Sequence, residues 1–331
     1  LIDATNDETV FQGKLEPSKT PTWKRFEYYY QLDFSATRSP GRYYLKLDGS
    51  GRTTEAFDIN TAAFENYHED LLAFMRQQRC GYNPFIGEAC HTQDGRLFYG
   101  PVPDSTYVNL SGGWHDAGDQ LKYLITSSNA TARMLQAFEL EPDKFGDYTD
   151  AYGNLRANGI ADVLDEAKWG LDWIHKLHFR PDALVHQIAD DRDHIGWKLP
   201  TSDSSDYGWG PNSYRAAYVA TGKPQGLGKY KSKATGFANV AGRSAAAMAL
   251  GYRVWSMAAK DTVFASKCLQ AAESLYALAK SNQGYQQGNS YGAPYRYNEN
   301  TWTDDMEWGA VELYKATGNA KYLEEAKGFA E

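Results

Sequence analysis

The chain has 331 residues and a net charge of −8, a length that suggests about two domains and a charge that argues against nucleic acid as a partner. Its 42% apolar content is enough for a sizeable core, and nine Trp, 24 Tyr and 14 Phe can pack that core and still leave rings for an exposed cleft. No apolar run approaches the roughly 18 residues that a membrane helix needs.

Residues 1–60 read as β. Residues 26–34 are aromatic and partly alternating, Ser39-Pro40-Gly41 is a turn signal, and residues 42–47 form a second strand. Asp48-Gly49-Ser50-Gly51 turns the chain again, and residues 55–59 close the block. Short strands at this spacing suggest a β-sandwich. From Thr61 the apolar period becomes helical. Residues 62–79 carry Phe64, Tyr67, Leu71, Leu72 and Met75 at helical spacing. Further helices are expected over 121–140, 160–179, 238–259, 262–281, 304–317 and from 320 onward. Ala241, Ala245, Ala246, Ala247, Ala249 and Gly251 lie in the 238–259 stretch, small side chains that suit close helix approach in an inner ring. The long loops between these helices are rich in Gly, Asn, Asp and aromatics, as an α-barrel with an elaborate end would have.

One turn concentrates the chemistry. Gly112-Gly113-Trp114-His115-Asp116-Ala117-Gly118-Asp119 places two carboxylates three residues apart on flexible backbone, just ahead of a helical run. Paired acids at a helix mouth suit general-base work on a water molecule; the plain alternative is that one of them is a helix N-cap. A second set is Cys80, Cys90, His91 and His115. Two thiolates and two imidazoles can make a tetrahedral zinc site, and a Cys80–Cys90 disulfide beside two unrelated histidines is the other reading. The loop 196–214 holds Trp197, Tyr207, Trp209 and Tyr214 among Gly, Ser and Asp, flat rings that could stack on sugars; Tyr285, Tyr291, Tyr295 and Tyr297 form a weaker cluster. Gly288-Asn289-Ser290-Tyr291-Gly292 fits the G-x-S-x-G pattern but lacks the strand before it and the helix after it, so it is a chance match. His175 and His178 share a helix face without a third ligand and read as surface residues.

The run GGWHDAGDQLKY resembles the signature of glycoside hydrolase family 9, the inverting β-1,4-glucanases, and the similarity continues in patches from about Thr61 to the end. The resemblance implies a mostly α fold: an incomplete (α/α)6 barrel over 61–331, preceded by a partial all-β immunoglobulin-like sandwich over 1–60. It implies Asp119 as the general base and Asp116 as a second holder of the same water, with the acidic Glu expected beyond residue 331. It also implies a structural zinc on Cys80, Cys90, His91 and His115. Calcium is common in the family as well, but Asn239 and Arg243 stand where many relatives carry Asp and Glu, so Ca2+ is a weaker expectation. The implied protein is a secreted or cell-surface endo-β-1,4-glucanase, a monomer acting on cellulose or a related β-glucan, with Trp209, Tyr207, Trp197 and Tyr214 as substrate-binding residues. The alternatives are a non-catalytic glucan-binding relative and a relative acting on xyloglucan or chitobiose-type substrates.

Overall fold

The computed structural model describes residues 1–18, 26, 28–62, 67–259 and 261–331. It divides into two compact units, Leu1–His68 and Glu69–Glu331.

In the first unit, β1 (Ile2–Asp3), β4 (Gly41–Tyr44) and β5 (Phe57–Ile59) form an antiparallel sheet in the order β1-β4-β5. The register sets Ile2 against Tyr44 and Gly41 against Ile59. A separate pair joins β2 (Glu16–Pro17) to β3 (Tyr30–Gln31). Tyr43 is the buried anchor, its hydroxyl donating to the Ser39 carbonyl at 3.0 Å. The strands are shorter than the alternation predicts. Of the 26–34 run, Tyr30 and Gln31 make up the strand, and Glu27 lies outside the described residues.

The second unit holds seven α-helices among the described residues: α1 (Tyr67–Gln77, which begins two residues before the unit boundary), α2 (Leu124–Leu140), α3 (Asp162–Leu177), α4 (Ala238–Val254), α5 (Thr262–Ser281), α6 (Thr303–Thr317) and α7 (Ala320–Ala330). Phe64, expected in the first helix, lies outside the described residues. Helix α4 packs against α2, α5 and α6, and fourteen of its seventeen residues are buried, a close packing that its six Ala and two Gly permit. It runs on into a π-helical turn, Trp255–Ala259.

A second feature was not predicted. Among the described residues, six strands lie between the helices. β6 (Gly81–Asn83) and β7 (Glu88–Cys90) make a hairpin. β8 (Asp94–Phe98), β9 (Lys122–Tyr123), β10 (Val185–Ile188) and β11 (Arg215–Val219) form one sheet in the order β8-β11-β10-β9. β8 and β11 are parallel and the other pairs antiparallel. Strand β9 takes the first residues of the expected 121–140 helix, so that helix starts at Leu124. One further expectation is corrected. His178 is half-buried, with Nδ1 at 3.0 Å from the Ala183 carbonyl and Nε2 at 2.8 Å from Ser274 Oγ.

Candidate functional site

The acid-bearing turn is held from both sides. Gly113 has φ of 71°, and a Cβ there would lie 2.4 Å from Trp173 Cδ2, so only glycine fits. Helix α3 grips the preceding backbone: Trp169 and Trp173 donate their indole N–H groups to the carbonyls of Gly113 and Leu110 at 2.9 and 3.0 Å. Trp114 donates to the buried Glu166 at 2.7 Å. On the other side, the N–H of Cys80 donates to the Gly113 carbonyl and that of His115 to the Gln78 carbonyl, at 2.9 and 2.8 Å.

Neither acid caps the following helix. Its N-cap is Tyr123, which makes no side-chain cap bond. Asp116 instead accepts from Thr126 Oγ1 at 2.8 Å and from the Tyr297 hydroxyl at 2.7 Å. Burial pushes its carboxyl above the ordinary range, with repulsion from Asp119 adding to the effect and the two hydroxyls opposing it. Asp119 accepts from the Leu121 N–H at 3.2 Å and pairs with His194 Nε2 at 2.9 Å. His194 stacks on Tyr295, ring centroids 3.9 Å apart and planes 15° from parallel. Ala117, Gly118, Asp119, His194, Gly196 and Trp197 line an open depression of about 360 Å³.

Of the four expected sugar platforms, Trp197 fits the depression. It is 90% exposed and lies against Gly118. Tyr207 does not fit. It is buried, with its hydroxyl between the backbone N–H and carbonyl of Asp190 and its ring under the Arg192 guanidinium, so no sugar can reach its face. Trp209 is half-buried against Phe98, and Tyr214 lies beneath Arg96 and beside Tyr107. His194 and Tyr297, which touch the two acids, escaped the sequence reading as acid partners. The signal for His194 was its place in the polar run Asp190-Asp191-Arg192-Asp193-His194.

The cysteine–histidine set does assemble. One ligand atom from each of Cys80, Cys90, His91 and His115 lies within 4.8 Å of the others. His115 Nε2 is 3.2 Å from His91 Nδ1, Cys80 Sγ is 3.8 Å from His91 Nδ1, and Cys90 Sγ is 3.9 Å from His115 Nε2. Ligand bonds of about 2.3 Å to sulfur and 2.0 Å to nitrogen put tetrahedral ligands roughly 3.3–3.8 Å apart, so this donor set fits zinc. The cysteines are not joined in a disulfide. Burial opposes the Cys80 thiolate, but the hydrogen bond from Cys90 and the charges of Lys122 and His115 outweigh it and hold the thiol well below its ordinary range. His91 adopts the left-handed φ of 47° and sets Nε2 at 2.9 Å from Asp203, the kind of carboxylate partner that orients a ligating imidazole.

The calcium expectation fares differently. Asn239 exchanges hydrogen bonds with the Gln286 backbone, and Arg243 makes a two-pronged pair with Asp305 at 2.6 and 3.1 Å. A cationic side chain holds the carboxylate there. Among the described residues the four-ligand cluster is the one group of metal-binding side chains found.

The model of the Glycosyl hydrolase family 9 matches residues 64–331, and that of the Cellulase N-terminal ig-like domain matches residues 1–52. Endoglucanase D of Acetivibrio thermocellus is 27% identical over 306 residues, 89% of this chain and 44% of that protein. The xyloglucan-specific endo-beta-1,4-glucanase BoGH9A of Bacteroides ovatus is 28% identical, over 98% of this chain and 54% of that protein. A metagenome-derived glycoside hydrolase family 9 endoglucanase of known crystal structure superposes with a TM-score of 0.74 at 27% identity, over 99% of this chain and 56% of that one. The chain thus spans about half the length of the relatives it matches. Its fold is that of an immunoglobulin-like domain followed by part of an (α/α)6 barrel.

Proposed function

The chain belongs to glycosyl hydrolase family 9, and from that premise we propose that it hydrolyses internal β-1,4-glucosidic bonds of cellulose or a related β-glucan with inversion. The observation that carries this reading is the pair Asp116 and Asp119 on one braced turn, with Asp119 opening on the depression beside Trp197. Asp119 is the general base. It takes the proton of a water that attacks the anomeric carbon, while Asp116 accepts that water's second hydrogen bond; as the glycosidic bond breaks, a general acid gives its proton to the departing sugar oxygen. Inversion requires a water between base and acid, which sets their separation at about 6.5–9.5 Å. Trp197 offers the sugar a flat exposed face; Trp209 and Tyr214 are further platforms only if a sugar reaches their open edges.

Asp119→Asn keeps the shape of the base and removes its basicity. In the gene's full reading frame it lowers turnover on soluble β-glucan by about 10²–10⁴, with folding and glucan binding retained. Product released as the α-anomer, followed by NMR, is the second expected result. Near wild-type turnover of the variant, or a β-anomeric product, overturns the reading. Xyloglucan is the second substrate to assay, because a xyloglucan-specific relative aligns over 98% of the chain.

We further infer a structural zinc on Cys80, Cys90, His91 and His115. Four protein ligands leave no open position for chemistry, so the ion supplies rigidity. The chain's own residues do the work at the acids: His115 is followed directly by Asp116, so fixing its imidazole fixes that carboxylate's backbone. Calcium at Asn239 is not proposed. The proposed domains are an immunoglobulin-like module over 1–60 and barrel residues over 61–331, a division that the family models, matching 1–52 and 64–331, support. A polymeric substrate too large to enter a cell supports a secreted or cell-surface protein, and the proposed oligomeric state is a monomer.

A further inference from the structure

The loop that leads to β11 carries Asp203 to the outer edge of the His91 ring. Asp203 is buried, and its two oxygens face different partners. Oδ1 accepts from Lys198 Nζ at 2.6 Å and from the Ser205 N–H at 2.9 Å. Oδ2 lies 2.9 Å from His91 Nε2 and 2.9 Å from Ser205 Oγ. The other nitrogen of the ring, Nδ1, points into the cluster, 3.2 Å from His115 Nε2 and 3.8 Å from Cys80 Sγ. The carboxylate itself is held fast, because Ser205 Oγ also lies 2.9 Å from Asp193 Oδ1 and Lys198 also donates to the Asp193 carbonyl at 3.2 Å. The buried charges beside the cluster match one another: Asp94 with Lys122, Asp193 with Arg215 and Asp203 with Lys198. Lys198 thus balances Asp203 already, and a divalent ion would be neutralised by the thiolates of Cys80 and Cys90. What Asp203 has left to supply is direction.

We propose that Asp203 is a positioning residue for the zinc: it accepts the Nε2 proton of His91 and so presents Nδ1 as the ligand atom. This rests on the zinc reading above. A neutral imidazole has one N–H and one lone pair, and the hydrogen bond made by one nitrogen decides what the other can do. An ionised carboxylate only accepts. The nitrogen facing Asp203 is therefore the N–H, and the lone pair faces the cluster.

Asp203→Asn tests this, because an amide has one donating end. The Oδ1 place meets two donors, Lys198 and the Ser205 N–H, so the amide oxygen belongs there and the NH2 falls at the Oδ2 place. One of its hydrogens can go to Ser205 Oγ, which still donates to Asp193. The other meets His91 Nε2, draws the ring proton to Nδ1 and blocks the ligand atom. In the gene's full reading frame, zinc affinity of the variant, read by competition with a chromophoric chelator, is expected to fall about 10- to 100-fold. Nitrogen-15 NMR of the histidine-labelled, zinc-loaded wild type is expected to show His91 bound through Nδ1 with its proton on Nε2, a readout that does not depend on how the variant folds. Wild-type zinc affinity in Asp203→Asn overturns the proposal, and so does a wild-type His91 that binds zinc through Nε2. Wild-type protein that takes up no zinc at all removes the zinc reading itself, and the two failures are thereby told apart.

Discussion

Gly118 sits between the two acids, and its missing side chain makes room for Trp197. A Cβ built on it would lie 2.0 Å from Trp197 Cζ3, far inside van der Waals contact, so alanine must displace the indole. Trp197 is otherwise almost free of contacts, 90% exposed, and can move without disturbing the core. Gly118→Ala is therefore expected to leave the melting temperature unchanged and to raise KM for β-glucan several-fold through loss of a flat face for the sugar. Steady-state kinetics beside a thermal melt checks it. An unchanged KM means that Trp197 is no platform. The two acids and the cysteine–histidine cluster could be singled out in the sequence because Asp116, Asp119 and His115 share one short run and Cys90 and His91 are adjacent. Their partners could not: His194 is 75 residues from Asp119 and Tyr297 is 181 from Asp116, and no local pattern encodes such a meeting. Tyr207 misled because an aromatic in a polar loop carries no mark of whether the loop folds over it.

Helix α4 was readable as an inner element because close packing leaves a compositional trace. The α4–α6 crossing is made by two glycines. A Cβ on Gly242 would lie 2.9 Å from the Asp305 carbonyl oxygen, and one on Gly309 the same 2.9 Å from the Gly242 carbonyl oxygen. Both obstacles are backbone, which cannot turn aside as a side chain can. Gly242→Ala is expected to destabilise the helical unit by about 1–3 kcal/mol, the usual cost of overpacking. Gly328 on α7 faces nothing within 4 Å, and there the same substitution should stabilise by up to about 1 kcal/mol through helix propensity. Opposite shifts of the urea midpoint test the crossing; a neutral Gly242→Ala would mean the two helices can separate freely. The four-stranded sheet left no such trace. Its strands are two to five residues long, and Val185–Ile188 and Arg215–Val219 are buried throughout, so they show neither alternation nor a long apolar run.

At the scale of the whole molecule, the proposed zinc ligands stand out because they come from three separate pieces of chain. Cys80 precedes the β6–β7 hairpin, Cys90 and His91 close it, and His115 lies on the acid turn. Asp203, on the loop leading to β11, reaches His91 from a fourth. Beneath them the buried charges Asp94, Lys122 and Arg215 tie β8, β9 and β11 together, with Asp94 at 2.7 Å from both Lys122 Nζ and Arg215 Nε. In the hairpin itself Phe85 at the tip is exposed, and Tyr82 meets Tyr152 edge-on. The proposed ion would add a cross-link between these pieces, and its binding free energy would become folding free energy. The purified protein is expected to carry one zinc per chain by elemental analysis. Zinc at a thousand-fold over its Kd contributes about 4 kcal/mol, which at about 2–4 °C per kcal/mol places the melting temperature of chelator-stripped protein about 10 °C lower. Limited proteolysis of the stripped protein should cut first within residues 84–92, and added zinc should restore both the melting temperature and the resistance. Protein that holds no metal and melts unchanged after chelation, or a Cys80–Cys90 disulfide found by mass spectrometry, would show that the four side chains meet for another reason.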